Sequence, residues 1–376
     1  MSNIEDFIPQ HIRSMGRYVP GKTVRQAEQE TGIRSIKLAS NENPFGPSPM
    51  AIEAIQRAAS EVNWYPDADS SELREAIAAH HAVPKDSVLL AAGSSSLLYI
   101  IGRTILGPGL NAVTSELSFI TYPLVVQAAG ATLVKVPMRD YRYDLDGILT
   151  AIDDNTRVVF LANPNNPTGT ILSVDEIDRF LDRVPSHVMV VLDEAYSHFA
   201  EYFASERGVE YSHAIQQVLA GRNVIVLRTF SKAQGLAGIR LGYGIANPEL
   251  IQYFARVKVV FSVSAIAEAA GLAAMRDGAH IHKTLHNNAE GAKFLTAKLT
   301  DMGLKVLPTS ANFIYVDVGE DCVAVAKRLQ AEGVIIRPLG GWGAKTAIRV
   351  SIGQPEENEQ FVAAMKKVML AETRAK

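Results

Sequence analysis

A chain of 376 residues is long enough for two or three domains built around a large core. The hydrophobic fraction of 47%, the charged fraction of 20% and the net charge of −3 are typical of a globular protein and argue against a nucleic-acid partner. The only cysteine, Cys322, excludes an intramolecular disulfide framework and a multi-cysteine metal site.

The N-terminal segment, residues 1–40, is polar and contains a Tyr18-Val-Pro-Gly turn, so we expect an arm that docks on a larger body. Its acidic start lacks the basic and apolar regions of a signal peptide. The apolar runs of the chain are too short to cross a bilayer. We therefore expect a cytoplasmic protein with no membrane partner.

Apolar runs separated by helical patterns predict the central part of the fold. These runs begin at Ser87, Arg157, Val188 and Asn223. A capping box from Ser173 to Glu176 opens a helix between two of them. Strand, helix and strand in this order predict an α/β fold with a mostly parallel sheet and helices on both of its faces.

The pattern changes after about residue 270. Long helical stretches surround short apolar runs at 312–316 and 347–352, and a terminal helix follows Pro355. This pattern predicts a second, smaller α/β domain. We expect an N-terminal arm at 1–40, a large domain at 41–268 and a small C-terminal domain at 269–376.

The segment after the predicted strand at 223–227 places Lys232 just after two hydroxyl residues, Thr229 and Ser231, and upstream of Arg240. Open α/β sheets bind ligands at the carboxyl ends of their strands. A lysine shielded from water there is available as a neutral amine, which can form a Schiff base with an aldehyde cofactor. The hydroxyls and the arginine suit a phosphate. A surface lysine with ordinary neighbours is the alternative.

Three further segments fit the same kind of ligand. Ser94 and Ser95 open a helix after a strand, where backbone amides favour a phosphate, although an unliganded serine cap is commoner. Asn166 lies in a proline-rich turn and can donate its amide to a ligand ring. Asp193 ends a very apolar strand and needs a partner, either a protonated ring nitrogen or a structural contact. Tyr196 can hydrogen-bond the ring oxygen.

Two arginines in the predicted small domain are candidate anion-binding residues. Arg349 lies within an apolar strand and Arg337 precedes it, which favours contact with a carboxylate or phosphate over the ordinary alternative of a buried ion pair. The glycine-rich segment around Trp342 is either a gate or a surface loop.

Together these segments resemble the fold-type I pyridoxal-phosphate enzymes and, within them, the histidinol-phosphate aminotransferases. The likeness covers nearly the whole chain, from Tyr18-Val-Pro-Gly and Leu38-Ala-Ser-Asn-Glu-Asn-Pro-Phe-Gly-Pro-Ser through Trp64-Tyr-Pro-Asp to Ile348-Arg-Val-Ser-Ile-Gly. It implies a large domain with a mostly parallel sheet sandwiched by helices, and a smaller α/β domain formed by the C-terminal part and the N-terminal arm. It also implies a pyridoxal 5'-phosphate enzyme that moves an amino group between histidinol phosphate and 2-oxoglutarate.

The resemblance implies a role for each matching residue. Lys232 matches the Schiff-base lysine that then serves as general base, and Asp193 matches the carboxylate of the ring nitrogen. Tyr196 and Asn166 match donors to the ring oxygen, and Phe119 matches the aromatic side chain stacked on the ring. The phosphate positions are Ser94, Ser95, Thr229, Ser231 and Arg240.

The substrate positions implied by the resemblance are Tyr18, Asn43, Arg337 and Arg349. Tyr65 matches a tyrosine that reaches the cofactor phosphate of the neighbouring subunit, which implies a homodimer with shared active sites. The implied substrates are a small-molecule amino donor and a 2-oxo acid acceptor. No metal is implied.

Two segments depart from the family pattern. Ser95-Ser96 replaces an acidic pair, and Val260-Phe-Ser-Val-Ser264 replaces Pro-Phe-Asn-Val-Asn. An aromatic amino-acid aminotransferase is therefore the main alternative, with Trp342 and Phe261 lining an apolar pocket. A threonine-phosphate decarboxylase shares the scaffold. A non-catalytic cofactor-binding regulator is a further alternative, but it would need neither Lys232 nor Asp193.

Overall fold

A computed structural model describes residues 4–16 and 21–373, without the side chains of 371–373. The strands are β1 Ile36–Lys37, β2 Val88–Ala91, β3 Asn111–Ser115, β4 Thr132–Val136, β5 Thr156–Ala162, β6 Met189–Asp193, β7 Val224–Thr229, β8 Gly242–Ile245, β9 Lys305–Val306, β10 Phe313–Asp317, β11 Val334–Ile335, β12 Arg337–Pro338 and β13 Ala347–Ser351. Tyr18 lies outside the described residues, so its substrate role stays a prediction.

The α-helices complete the description of the chain. They are α1 Gln10–Arg13, α2 Val24–Thr31, α3 Pro49–Ala58, α4 Ser71–His81, α5 Ser94–Ile105, α6 Thr121–Ala128, α7 Leu145–Ala151, α8 Val174–Arg183, α9 Ser197–Glu206, α10 Ala214–Leu219, α11 Pro248–Val257, α12 Ala265–Arg276, α13 Gly278–Asp301, α14 Cys322–Ala331 and α15 Pro355–Thr373. In the part of the chain that the structure describes, no helix combines the length and the apolar composition needed to span a membrane.

Within the described residues, the larger sheet has seven strands in the order β2-β8-β7-β6-β5-β3-β4. Strands β3 to β7 pair in parallel, whereas β8 is antiparallel to both of its neighbours. The four strands predicted from apolar runs are β2, β5, β6 and β7. Three strands were missed, among them β8, whose two glycines weaken the strand signal. Gly242 is nevertheless required, since a Cβ there would lie 2.5 Å from the backbone nitrogen of Ser94.

Helices cover both faces of this sheet because its strands are apolar on both faces. Along β6, Val190 and Leu192 pack into one buried layer and Val191 into the other. The predicted capping box is confirmed, since the Ser173 side chain accepts a hydrogen bond from the backbone of Glu176 at the start of α8.

The second sheet is antiparallel, in the order β12-β13-β10-β9, and packs against α13, α14 and α15. β1 pairs in parallel with β11, and the next residue, Leu38, is buried in the same core as α15. The segment around β1 therefore contributes to the smaller domain, as the fold prediction states. The domain limits at 40 and 268 stay predictions.

The close packing of the loop after β7 against another stretch of backbone requires a glycine at position 235. Gly235 has φ +71°, and a Cβ at this position would lie 2.0 Å from the carbonyl oxygen of Gly46. We expect Gly235→Ala to lower the free energy of unfolding by about 3 kcal/mol, because it adds left-handed strain to a backbone clash. Urea denaturation measures this change.

Gly238→Ala is the matched control in the same loop, since no atom lies within 4 Å of its Cβ position. We expect it to change stability by less than about 1 kcal/mol. Equal effects of the two substitutions would show that the Gly235 contact does not limit this loop.

Candidate active site

A cavity of about 280 Å³ lies at the carboxyl ends of β5, β6 and β7, where Ala162, Asp193 and Thr229 reach its wall. The start of α5 and the small-domain strands β12 and β13 close its other sides. The predicted residues that line it are Ser94, Ser95, Phe119, Asn166, Asp193, Tyr196, Thr229, Ser231, Lys232, Arg240, Arg337 and Arg349. Residues from widely separated segments thus meet at the edge of the sheet that the strand pattern predicts.

Lys232 lies at the centre of this cavity. Its Nζ donates a hydrogen bond to the carbonyl oxygen of Ser40 at 3.3 Å. Burial, followed by the charge of Arg349, lowers the pKa of Lys232 to about 8. Near neutral pH the amine therefore exchanges readily between its charged and neutral forms, as a nucleophile and a general base both require.

Asp193 is buried at the end of β6 with one oxygen unpaired. Its Oδ2 accepts a hydrogen bond from the Tyr122 hydroxyl at 3.2 Å, while Oδ1 has no hydrogen-bond partner among the described residues. Burial raises the pKa of Asp193 to about 6, against the lowering effects of the Tyr122 hydroxyl, the backbone N–H of Ala195 and the charge of Lys232. The nearby cation Arg228 is already paired with Glu194 at 2.8 Å.

An unpaired buried carboxylate oxygen facing a cavity calls for a cationic or hydrogen-bonding ligand group. The protonated nitrogen of a pyridine ring meets this need. The residues present therefore fit the ring of pyridoxal phosphate at Asp193.

A cluster suited to phosphate lies at the other side of the cavity. Gly93, with φ +86°, begins α5, and a Cβ there would lie 2.5 Å from Nη2 of Arg240. The same guanidinium contacts Ser231 Oγ at 3.4 Å, and the Thr229 hydroxyl donates to Ser231 Oγ at 3.0 Å. Helix-start amides, a guanidinium and hydroxyls form a chemically suitable set for a phosphate dianion.

The small domain brings its arginines to the cavity through strand register. Arg337 of β12 lies directly opposite Arg349 of β13. Arg349 is buried and donates to Asn166 Oδ1 at 2.6 Å and to the carbonyl oxygen of Ala39 at 2.8 Å. The Arg337 guanidinium lies 5.0 Å from the ring centroid of Trp342, which also lines the cavity. The Trp342 segment is therefore part of the cavity wall.

Two predicted residues do not line this cavity. Asn43 is buried and donates to the carbonyl oxygen of Ala233 at 2.8 Å and to Thr284 Oγ1 at 3.0 Å. Its side chain supports the loop after Lys232, which corrects the predicted placement in the substrate pocket. Tyr65 is 83% exposed and stacks on Phe261 with ring centroids 4.7 Å apart. Phe261 is likewise outside the lining of the cavity in its own chain.

The family model for class I and II aminotransferases matches residues 33–365. The chain belongs to the class I and II aminotransferase family. A histidinol-phosphate aminotransferase of Moorella thermoacetica is 42% identical over 360 residues, which is 95% of this chain and 92% of that protein. Histidinol-phosphate aminotransferase 2 of Pseudomonas aeruginosa is 43% identical over 361 residues, which is 95% of this chain and 96% of that protein.

A solved structure of the family is similar over its whole length. Histidinol-phosphate aminotransferase of Sinorhizobium meliloti, in complex with pyridoxal-5'-phosphate, has a TM-score of 0.88 at 31% identity. The match covers 97% of this chain and 98% of that chain. The fold-type I prediction is thereby confirmed.

Sequence reasoning missed three residues of this aminotransferase site. Tyr122 lies in α6 three residues after Phe119, and the two rings pack edge to face with centroids 5.6 Å apart. Ser40 and Asn41 reach the cavity from the N-terminal segment, and both lie in the motif from Leu38 that carries the family resemblance and from which only Asn43 was chosen.

Asp193 destabilises the cofactor-free aminotransferase at neutral pH. A carboxyl group whose folded pKa is about 6 binds its proton more tightly in the native state than in the unfolded chain, so stability falls as pH rises from about 4 to about 6. We expect Asp193→Asn to raise the free energy of unfolding of the apoprotein at pH 7 by about 2–3 kcal/mol.

Chemical denaturation of apoprotein at several pH values measures this effect. The difference between the variant and the wild type should shrink toward zero below about pH 4. A variant that is less stable than the wild type at pH 7 would show that Asp193 is already compensated within the protein.

Proposed function

We propose that this chain is a pyridoxal-phosphate-dependent aminotransferase that transfers an amino group reversibly between histidinol phosphate and 2-oxoglutarate. One observation carries the proposal. Lys232 lines the same cavity as Arg240, Arg337, Arg349 and Asp193, and burial and the charges of both Arg349 and Arg240 lower its pKa. The relatives from Moorella thermoacetica and Pseudomonas aeruginosa support the substrate.

Pyridoxal phosphate, when bound, supplies an aldehyde that accepts amino groups and a ring that takes up electrons from the substrate carbon. Asp193 would hold the positive charge of the ring nitrogen, and Phe119 would cover one face of the ring. Arg240, Ser231 and Thr229, with Ser94 and Ser95 at the start of α5, would hold the phosphate.

The remaining residues act on substrate and proton. Lys232 takes and returns a proton, since its pKa of about 8 leaves both protonation states accessible. Arg349 and Arg337 orient the substrate through its anionic end, which is a phosphate in one substrate and a carboxylate in the other. Tyr196 and Asn166 donate hydrogen bonds within the cavity and exclude water from its floor.

One observation favours aromatic amino acids as a second class of substrate. The Trp342 ring lines the cavity beside Arg337 and offers an apolar surface to a flat side chain. Phe261, the other aromatic residue expected there, stacks on the exposed ring of Tyr65. Histidinol phosphate remains the first proposal because the relatives from Moorella thermoacetica and Pseudomonas aeruginosa are named for it.

We also propose a homodimer with shared sites. Two neighbouring segments expose an apolar patch, formed by Val62, Trp64, Tyr65, Val259, Val260 and Phe261. Such a patch is larger than scattered surface residues and marks a protein interface. Tyr65 lies in this patch rather than in its own cavity, which suits a contact with the partner's cofactor phosphate. The cytoplasmic location stays a prediction.

The substrate proposal is tested by adding histidinol phosphate to holoenzyme without any oxo acid. We expect the visible absorption band of the bound cofactor to disappear and a band at shorter wavelength to grow, because the amino group stays on the cofactor. Addition of 2-oxoglutarate should restore the first spectrum. Absorbance spectroscopy measures both steps.

Lys232→Ala is the control. We expect this variant to show neither spectral change and to turn over at least about 10³-fold more slowly than the wild type. An unchanged spectrum with histidinol phosphate but full conversion with phenylalanine would reassign the substrate. A wild-type protein without any visible band after incubation with pyridoxal phosphate would overturn the cofactor proposal itself.

The shared site is tested by mixing two inactive variants. Lys232→Ala removes the amine and Tyr65→Ala removes the tyrosine offered to the partner, so a mixed dimer keeps one intact site. After co-expression we expect about a quarter of the wild-type sites, measured as activity at limiting cofactor.

Tyr65→Phe is the matched control, since it keeps the ring in the interface and removes only the hydroxyl. We expect this variant to remain dimeric and to bind the cofactor less tightly. Activity of the mixture no greater than the sum of its separate variants would exclude a tyrosine shared between subunits.

A further inference from the structure

The Tyr196 hydroxyl is an acceptor for two hydrogen bonds. Nδ2 of Asn41 donates to it at 2.9 Å, and Nδ2 of Asn166 donates to it at 3.0 Å. A tyrosine hydroxyl has two acceptor positions and one proton to donate. With both acceptor positions filled, the only interaction left for Tyr196 is to donate its own proton. Burial raises the pKa of Tyr196, so this proton is retained at neutral pH.

The direction of the Asn41 amide is set by Ser351. The backbone N–H of Asn41 donates to Ser351 Oγ at 2.8 Å, so the serine proton is free to be donated back to Asn41 Oδ1, which lies 3.2 Å away. The serine oxygen could accept a second hydrogen bond, but of the two amide orientations only the one with the oxygen toward Ser351 gives the serine proton an acceptor. We therefore place the amide oxygen toward Ser351 and the amide nitrogen toward Tyr196. With the amide reversed, the Asn41 oxygen would lie next to Tyr196 and accept the tyrosine proton.

The backbone at Asn41 has a left-handed conformation. Asn41 is buried with φ +56°, a region that asparagine adopts more readily than other non-glycine residues. The side chain of Asn312 donates to the Asn41 carbonyl oxygen at 3.0 Å. Ser351 follows Arg349 by two residues on β13, so the two side chains lie on the same face of that strand.

We propose that Ser351 and Asn41 are positioning residues that commit the Tyr196 hydroxyl to donating into the cavity, toward the ring oxygen of the bound cofactor. This inference rests on the proposed function, since the acceptor belongs to pyridoxal phosphate. Strand β13 then has two roles. It carries Arg349, and through Ser351 it sets the direction of the hydrogen bond from Tyr196.

Ser351→Ala tests the proposal without adding charge. Without the Ser351 hydroxyl, the side-chain amide of Asn41 can rotate so that its oxygen faces Tyr196. The Tyr196 hydroxyl then donates part of the time to Asn41 instead of to the ring oxygen of the cofactor. A ring oxygen with a weaker donor keeps more negative charge, so the cofactor chromophore holds its own proton to higher pH. We expect the midpoint of the pH titration of the visible band to rise by up to about one pH unit.

Asn41→Asp is the second variant, since it keeps the shape and makes both oxygens acceptors. It also adds a charge to a site that already contains Asp193, Lys232 and Arg349 around Tyr196. Both variants are therefore repeated in a Tyr196→Phe background, where this double-mutant cycle isolates the hydroxyl. We expect Ser351→Ala to cause no further shift in that background, and any shift by Asn41→Asp that persists there measures the effect of its added charge alone.

Asn312→Ala is the matched control because the side chain of Asn312 donates to the backbone carbonyl oxygen of Asn41 and not to its side chain. We expect a lower melting temperature with an unchanged spectral midpoint. The proposal fails if Ser351→Ala leaves the midpoint of a folded holoenzyme unchanged, if the shift persists without the Tyr196 hydroxyl, or if Asn312→Ala shifts it equally. A wild-type protein with no visible band would instead overturn the proposed function.

Discussion

A carboxylate buried at the end of a central strand, with one oxygen unpaired, is the constraint on which the rest of this site depends. Asp193 ends β6, where the neighbouring strands are apolar, and the guanidinium of Arg228 on β7 is committed to the adjacent Glu194. A buried carboxylate oxygen without a hydrogen-bond partner lowers the stability of the fold unless a bound ligand supplies that partner. The fold tolerates it because β5, β6 and β7 are held by parallel pairing and by helices on both faces.

Around that carboxylate the cavity is strongly cationic. Lys232, Arg240, Arg337 and Arg349 all reach it, and the charge of Arg349 adds to burial in lowering the pKa of Lys232. A phosphate at one end and a substrate anion at the other would relieve this repulsion. The same crowding keeps the lysine close to its titration point, so one electrostatic arrangement serves both binding and proton transfer.

The small domain contributes side chains to the active site. Its strand register sets Arg337 opposite Arg349, and β13 also meets the segment around Asn41. Through Arg349 and Asn166 on one side, and Ser351 and Asn41 on the other, the small domain is hydrogen-bonded to groups that surround Tyr196. Substrate recognition and the hydrogen bonding of the cofactor are therefore built on one strand.

Much of this aminotransferase could be predicted from its sequence, because the signals involved are local. Apolar runs predict β5, β6 and β7, and the polar residues just after such runs must gather at one edge of a parallel sheet. The Lys232 segment and Asp193 are found in this way. The substrate arginines follow from an apolar run interrupted by a charge.

Only the tertiary structure decided the contacts that join distant segments. Asn41 and Ser351 are 310 residues apart, and their hydrogen bonds depend on the pairing of β1 with β11 and on the register of β13. Asn43 was placed in the substrate pocket by resemblance, but packing turns its side chain toward α13 and the loop after Lys232. Local sequence encodes which residues can serve a site, whereas strand register and domain packing determine which of them face it.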